Sequence, residues 1–144
     1  AHHYAPAIAA ATELPFLDMI ELTAAALKAR GARRVGMLAS PATRRAGVFD
    51  RAFAAQGLEP VWRDGERLLQ VIRAVTAGAG QTETGPSLRV EAEALMAEGA
   101  DHLLVACTEL SLLTDHLPRT APQTDSLDCL AEAIVAFSKT SPRI

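Results

Sequence analysis

We predict the fold of this chain from one segment, Asp101-His102-Leu103-Leu104-Val105-Ala106-Cys107-Thr108-Glu109-Leu110. Residues 103–106 form an unbroken apolar run, which is too short for a helix and typical of a strand buried on both faces. A helical pattern begins directly after Cys107. In a parallel α/β sheet this junction lies at the carboxyl end of a strand, where such folds bind their ligands. Cys107 is therefore the first candidate for a functional residue.

Cys107 has two interpretations. Cysteine is among the most buried residue types, and a cysteine at the end of a strand is most often inert packing. At the start of a helix, however, a thiol lies near the positive end of the helix dipole, which favours the thiolate. Thr108 adds a hydroxyl, and together with Glu109 it supplies free backbone N–H groups that suit a bound carboxylate. These neighbours favour a reactive thiol.

The composition is typical of a globular domain with a small ligand. The chain has 144 residues, the length of one domain, and 49% of them are apolar, which is enough for a core. Only 4% are aromatic and the net charge is -3, which argues against a surface for nucleic acid. Two cysteines are too few for a disulfide scaffold, and no stretch resembles a signal peptide or a membrane span. We therefore expect a cytoplasmic protein without a nucleic-acid or membrane partner.

Strand and helix patterns alternate along the chain. The predicted strands cover residues 35–39, 58–62, 103–106 and 122–124. The predicted helices cover residues 1–11, 20–30, 44–56, 68–75, 87–98 and 126–138, and another follows Cys107. Residues 77–86 are rich in Gly and Thr and are predicted to form a surface loop. This alternation predicts an α/β fold with a four-stranded parallel sheet, right-handed crossovers and flanking helices.

A second polar turn follows the predicted strand at residues 35–39. Ser40-Pro41-Ala42-Thr43 offers hydroxyls and free N–H donors at the start of a helix, which are fit to hold a carboxylate. Taken alone, the turn is better explained as an ordinary loop that caps a helix. Cys129 lies within the last predicted helix among apolar residues and is predicted to be core. The four histidines lack metal-ligand spacing, so no metal site is predicted.

Three segments together resemble one known family. Ala106-Cys107-Thr108-Glu109 is similar to the second cysteine motif, Gly-Cys-Thr-Glu, of the cofactor-independent aspartate/glutamate racemases, with Ala106 in place of Gly. Ala39-Ser40-Pro41-Ala42-Thr43 is similar to their Ala-Thr-x-Gly-Thr segment. Ala1-His2 is similar to the end of their first cysteine motif, Cys-Asn-Thr-Ala-His. The Thr-Glu pair after the cysteine is typical of the aspartate-type members.

The resemblance implies two similar α/β lobes that face each other across a cleft, with one cysteine from each lobe. Residues 16–124 would form the second lobe, which carries Cys107. The helices at residues 1–15 and 125–144 would belong to the first lobe, most of which would be missing. The chain would then be the latter part of a longer protein whose first catalytic cysteine lies before Ala1.

The resemblance also implies an activity, which is amino-acid racemisation by 1,1-proton transfer. Cys107 would exchange the α-proton on one face of the substrate while the other cysteine acts on the opposite face. Glu109 would tune or orient this thiol. No cofactor is implied, neither pyridoxal phosphate nor a metal. The residues implied to hold the substrate carboxylate are Thr108, Ser40 and Thr43.

The side chain of the substrate is a separate question. Leu69 occupies the place where some family members use a lysine to hold a side-chain carboxylate, and Arg67 lies near it. An apolar residue does not pair with a buried charge. We therefore expect a small amino-acid or carboxylate substrate with an uncharged or less acidic side chain, or a site that recruits Arg67. We also expect a homo-oligomer or association with the first lobe.

Two alternatives stay open at this point. The chain could be a non-catalytic α/β lobe, used as a binding module or a partner subunit, because it carries no second cysteine motif of its own. It could also be a related enzyme with a single catalytic cysteine, such as a decarboxylase or an isomerase. The Thr-Glu pair after Cys107 argues against the latter.

Overall fold

The computed structural model of the chain describes residues 4–140. The helices are α1 (Ala5–Ala10), α2 (Met19–Ala29), α3 (Pro41–Arg45), α4 (Asp50–Gln56), α5 (Glu66–Thr76), α6 (Gln81–Ala97), α7 (Thr108–Ser111) and α8 (Ser126–Thr140). The strands are β1 (Arg34–Leu38), β2 (Glu59–Val61), β3 (His102–Val105) and β4 (Gln123–Asp125). His2, His3 and the outer ends of both predicted terminal segments lie outside the described residues.

All four strands are parallel and form one sheet in the order β2-β1-β3-β4. The four-stranded parallel α/β sheet predicted from the sequence is therefore confirmed. β1 and β3 are the two central strands, and Leu38 pairs with Val105 at their carboxyl ends. β3 is buried along its whole length, which is why its sequence is a continuous apolar run.

Helices cover both faces of the sheet, and alternate strand residues point to opposite sides. On one face, Leu103 and Val105 pack against apolar residues of α5, α6 and α7. On the other face, Leu104 and Met37 pack against α2 and α4. Each fully buried leucine contributes roughly 1.5–3 kcal/mol to folding. Burial on both faces fixes the strand ends, and so it fixes the loops that follow them.

Two predicted helix boundaries are wrong. The helix predicted at residues 44–56 is two helices, α3 and α4, because Gly47 adopts a left-handed φ of +58° between them. α6 begins at Gln81, within the stretch predicted as a loop, although Pro86 in its second turn removes one backbone hydrogen bond. Thr84 and Gly85 are buried there, and the imidazole of His116 packs over Gly85. Tertiary packing therefore outweighs the local preference for a loop.

The last helix is only partly covered. α8 packs against α2 and β4, and Cys129 on it is buried, as predicted. On its outer side, Leu127, Ile134 and Val135 are exposed. No helix within residues 4–140 is both long enough and apolar enough to cross a membrane.

Candidate active site

Two polar segments meet at the carboxyl edge of the sheet. Leu38 and Val105 are paired across β1 and β3, and the N–H of Ala106 donates to the carbonyl of Leu38 at 2.9 Å. Ser40 and Cys107 each follow that pair by two residues. Because neighbouring strands lie about 4.8 Å apart, the two segments leave the sheet side by side. The structure thus brings together the two turns that the sequence singled out.

The thiol of Cys107 is bonded to a carboxylate. Cys107 is the N-cap of α7 and is partly buried. Its Sγ donates to Oε2 of Glu109 at 3.0 Å. The hydroxyl of Thr108 donates to the same oxygen at 3.1 Å. Three consecutive residues therefore form one small network, in which Glu109 is the shared acceptor.

This network keeps the thiol protonated. Burial raises the pKa of Cys107 to about 12, and the hydrogen bond to Glu109 and the negative charge of that carboxylate act in the same direction. The backbone N–H groups of Glu109 and Leu110 at the start of α7 lower the pKa of Cys107, as predicted for a thiol at the start of a helix, but burial and the carboxylate beside the thiol outweigh them. The bond from Cys107 lowers the pKa of Glu109, which stays ionised.

The turn after β1 caps a helix. Oγ of Ser40 accepts the N–H of Thr43 at 3.3 Å, and the two hydroxyl oxygens lie 3.1 Å apart. Both residues are partly exposed, whereas Ala39 before them is buried. The capping interpretation accounts for the bond, and both residues remain partly exposed to solvent. Giving up such a cap for a ligand costs about 1 kcal/mol.

Arg67 is not part of this group. Its Nε donates to Oε1 of Glu91 at 2.8 Å, and Arg63 Nε donates to the other carboxylate oxygen at 3.0 Å. Glu91, on α6, is only 4% exposed. Glu91 was not predicted to be a functional residue, although its position along the helix carries a signal. A charged residue shares the helix face of Leu88 and Leu95, both of which are fully buried.

The loop between β2 and α5 forms a wall beside the turn after β1. Gly65 has a φ of +82°, and a β-carbon there would lie 2.9 Å from Cγ of Pro41. Glycine is therefore needed for both the backbone angle and the close approach. Arg44 donates to the carbonyl of Arg63 at 3.1 Å, and its guanidinium lies 5.7 Å from the ring centroid of Trp62. Loop and turn are thus in direct contact.

The two histidines within residues 4–140, His102 and His116, make their contacts elsewhere in the fold, and the ring of His116 packs over Gly85 on α6. Nε2 of His102 is bonded to Thr124 Oγ1 at 2.8 Å, at the opposite edge of the sheet. Within residues 4–140, no three His, Cys, Asp or Glu side chains are grouped so that they could hold a metal ion.

The sequence was compared with protein families and with known proteins. The sequence model for Asp/Glu/Hydantoin racemase matches residues 1–134. The chain is 25% identical over 138 residues to the broad specificity amino-acid racemase RacX of Bacillus subtilis (strain 168), with 94% of this chain and 60% of RacX covered.

Two solved structures are similar to this fold. One is a putative Asp/Glu racemase from Yersinia pestis, with a TM-score of 0.84, 25% identity, and coverage of 96% of this chain and 63% of that one. The other is the Picrophilus torridus aspartate racemase, with a TM-score of 0.72, 26% identity, and coverage of 91% and 56%. The chain spans about three fifths of the length of these relatives. With its parallel sheet and a matching family model over residues 1–134, the chain belongs to the Asp/Glu/Hydantoin racemase family.

Proposed function

We propose that the complete protein is a cofactor-independent amino-acid racemase in which Cys107 is one of two opposing acid/base groups. The observation that carries the proposal is the position of the thiol at the carboxyl end of β3, 3.0 Å from an ionised carboxylate. Inversion of an α-carbon requires a proton to leave one face and another to arrive on the opposite face. A protonated Cys107 is the form that delivers a proton.

In the reverse direction Cys107 must act as a base, and Glu109 supplies a route. The S–H bond breaks and the proton moves to Oε2 of Glu109, so that a thiolate stands beside a carboxylic acid. This transfer leaves the net charge of the pair unchanged, whereas release of the proton to water would leave two anions in contact. The thiolate then takes the α-proton, and the opposing acid protonates the resulting carbanion.

The substrate carboxylate is held, in this proposal, by the hydroxyls of Ser40, Thr43 and Thr108. Support comes from the strand ends that place these residues at the same edge of the sheet as Cys107, and from their exposure, which is partial for Ser40 and Thr43 and full for Thr108. Arg67 is occupied by Glu91, and the neighbouring Leu69 is apolar. We therefore propose a small amino acid with an uncharged or weakly acidic side chain, bound without pyridoxal phosphate or a metal.

The opposing acid would come from another lobe. Two observations support this part of the proposal. The relatives are longer than this chain, and α8 exposes apolar side chains. Residues 1–15 and 125–144 would pack on that lobe, whereas residues 16–124 form the lobe with Cys107. We further propose a cytoplasmic protein that associates with that lobe or with a second copy.

One observation favours a second candidate, a non-catalytic lobe or partner subunit. The only other cysteine, Cys129, is buried in α8, so the chain has no second accessible thiol within residues 4–140. A single-cysteine decarboxylase or isomerase would use the same protonated Cys107 to deliver a proton to a carbanion.

The test is an assay of the complete protein on a panel of amino acids, followed by chiral chromatography. Cys107→Ser should lower the racemisation rate by at least about 1000-fold, because a serine hydroxyl is a far weaker acid and base at this position. The matched control is Cys129→Ala, which should keep activity within about threefold. Full activity in Cys107→Ser would contradict the proposal, and carbon dioxide release without inversion would favour the decarboxylase.

A further inference from the structure

Glu91 is a buried carboxylate that the proposed chemistry does not use. It is 4% exposed and lies in the middle of α6, between leucines that are fully buried. Carboxylates are almost never buried unless they are paired. Here each oxygen has its own partner, Arg63 Nε on one and Arg67 Nε on the other. The carboxylate of Glu91 therefore holds both arginine side chains against α6.

Contacts continue from Arg63 to the turn after β1. Arg63 belongs to the loop that follows β2, and it also pairs with Glu98, the C-cap residue of α6. Its carbonyl accepts the guanidinium of Arg44, which also lies over the ring of Trp62. Arg44 is part of α3, the helix that Ser40 caps. A continuous path of bonds therefore runs from α6 to the turn that carries Ser40.

α3 has little else to hold it in place. None of its five residues is buried, so no apolar side chain anchors it to the core. Besides the bonds of its own cap, α3 makes the contacts of Arg44 and the close approach of Pro41 to Gly65. Both contacts are made with the loop between β2 and α5. That loop therefore supports α3.

We propose that Glu91 is a positioning residue, which fixes the loop between β2 and α5 through Arg63 and thereby holds the Ser40–Thr43 turn where it accepts a substrate carboxylate. The inference rests on the proposed function, because it gives this turn the carboxylate. Glu91 itself does not touch the substrate.

The experiment compares two alkylating reagents at Cys107 in the complete protein. Iodoacetate carries a carboxylate and iodoacetamide does not, and both react with the same thiolate, so their rate ratio is independent of the Cys107 pKa. Rates are measured at pH 9 by mass spectrometry of the Cys107 peptide. Ser40→Ala and Thr43→Val should lower the iodoacetate/iodoacetamide ratio, which establishes that the turn recognises the carboxylate.

Glu91→Gln should lower the same ratio by about three- to tenfold, because a displaced turn no longer presents its hydroxyls and N–H groups to the reagent. The direction of the change in this ratio separates positioning from charge. Loss of a negative charge by itself would speed the approach of anionic iodoacetate. The matched control is Glu93→Gln, which removes an exposed charge paired with Arg89 on the same helix and should leave the ratio unchanged. A defect in folding alone would change both rates together.

Arg44→Gln provides a second variant, since Arg44 is exposed and its loss does not open the core. It should lower the ratio in the same direction as Glu91→Gln. An unchanged ratio in Glu91→Gln and Arg44→Gln, equal changes with both reagents, or insensitivity to Ser40→Ala and Thr43→Val would each overturn the inference. A lowered ratio in a protein that racemises nothing would support the inference and contradict the proposed function.

Discussion

β3 has polar side chains at both of its ends, and the two ends use them differently. At the amino end, the carboxylate of Asp101 accepts the backbone N–H groups of Arg33 and Arg34, with distances between 3.1 and 3.2 Å. His102, the next residue, is buried with its ring bonded to Thr124. Every one of these bonds joins two parts of the same lobe.

At the carboxyl end, Cys107 lies five residues after His102, and the polar groups there are only partly covered. Cys107 is only partly buried, and its partner Glu109 is an ionised carboxylate that also accepts Thr108. These side chains bond within their own short segment rather than across the sheet. We therefore expect substitutions at the amino end of β3 to lower the free energy of unfolding. Substitutions at the carboxyl end should instead change the reactivity of Cys107 and the proposed racemisation.

The largest expected effect concerns the reactivity of the thiol at the carboxyl end. Because the pKa of Cys107 is about 12 rather than 9.0, its thiolate fraction near neutral pH is about 1000-fold smaller than that of an ordinary thiol. Alkylation of Cys107 by iodoacetamide should therefore rise about tenfold per pH unit and show no plateau up to pH 10. The measurement is mass spectrometry of the modified peptide. A plateau near pH 9 would show that Glu109 and burial do not hold the proton.

Glu109→Gln should have two effects of opposite sign. Racemisation should fall about 100-fold, because the acceptor for the Cys107 proton is lost. Alkylation of Cys107 at pH 9 should become faster, because removal of the carboxylate charge lowers the thiol pKa, although burial still keeps it above its ordinary value. Stopped assays of each property on the same preparation make the comparison. If both rates fall together, Glu109 has a purely structural role.

Asp101→Ala tests the other end of β3. The variant loses the carboxylate that accepts two backbone N–H groups, and the free energy of unfolding should fall by about 1–3 kcal/mol. Activity per folded molecule should stay within about twofold of wild type. Urea unfolding gives the first quantity, and Glu93→Ala is the control, since an exposed ion pair contributes about 0–1 kcal/mol. A stable but inactive Asp101→Ala would break the division between the two ends.

The smallest effect is expected at His102. Burial lowers its pKa, and the nearby charge of Arg30 lowers it further, so the folded protein holds the ring neutral. Since the unfolded chain takes up a proton below about pH 6.5 and the folded chain does not, the free energy of unfolding should decrease as the pH falls below that value. His102→Gln should make this decrease shallower. Identical pH profiles for the two proteins would show that His102 does not contribute.

Much of the fold could be predicted because burial is written in local patterns. The apolar run at residues 103–106 predicted β3, and alternating strands and helices predicted the parallel sheet. The start of α6 could not be predicted, since its first turns contain Gly85 and Pro86 and are packed against the rest of the fold, with His116 over Gly85. Long-range packing of this kind has no signature in a short window of sequence.

The position of the candidate site could be predicted from the sequence. The protonation state of its thiol and the partner of Arg67 could not. Strand ends placed Cys107 and Ser40 at one edge, and the family resemblance added the expected chemistry. The state of the thiol depended on its burial and on the side-chain rotamer of Glu109, which brings the carboxylate to 3.0 Å from Sγ. The partner of Arg67 depended on Glu91, which is 24 residues away in the chain. Neither distance follows from sequence spacing alone.

The most direct test of the claim that Cys107 is one of two opposing acid/base groups is racemisation of a single enantiomer in deuterated water by the complete protein. We expect the product enantiomer to carry deuterium at its α-carbon from the earliest turnovers while recovered substrate keeps its proton, and we expect Cys107→Ser to abolish this inversion. Deuterium entering recovered substrate and product at equal rates would indicate a single base. Inversion at the wild-type rate in Cys107→Ser would contradict the account.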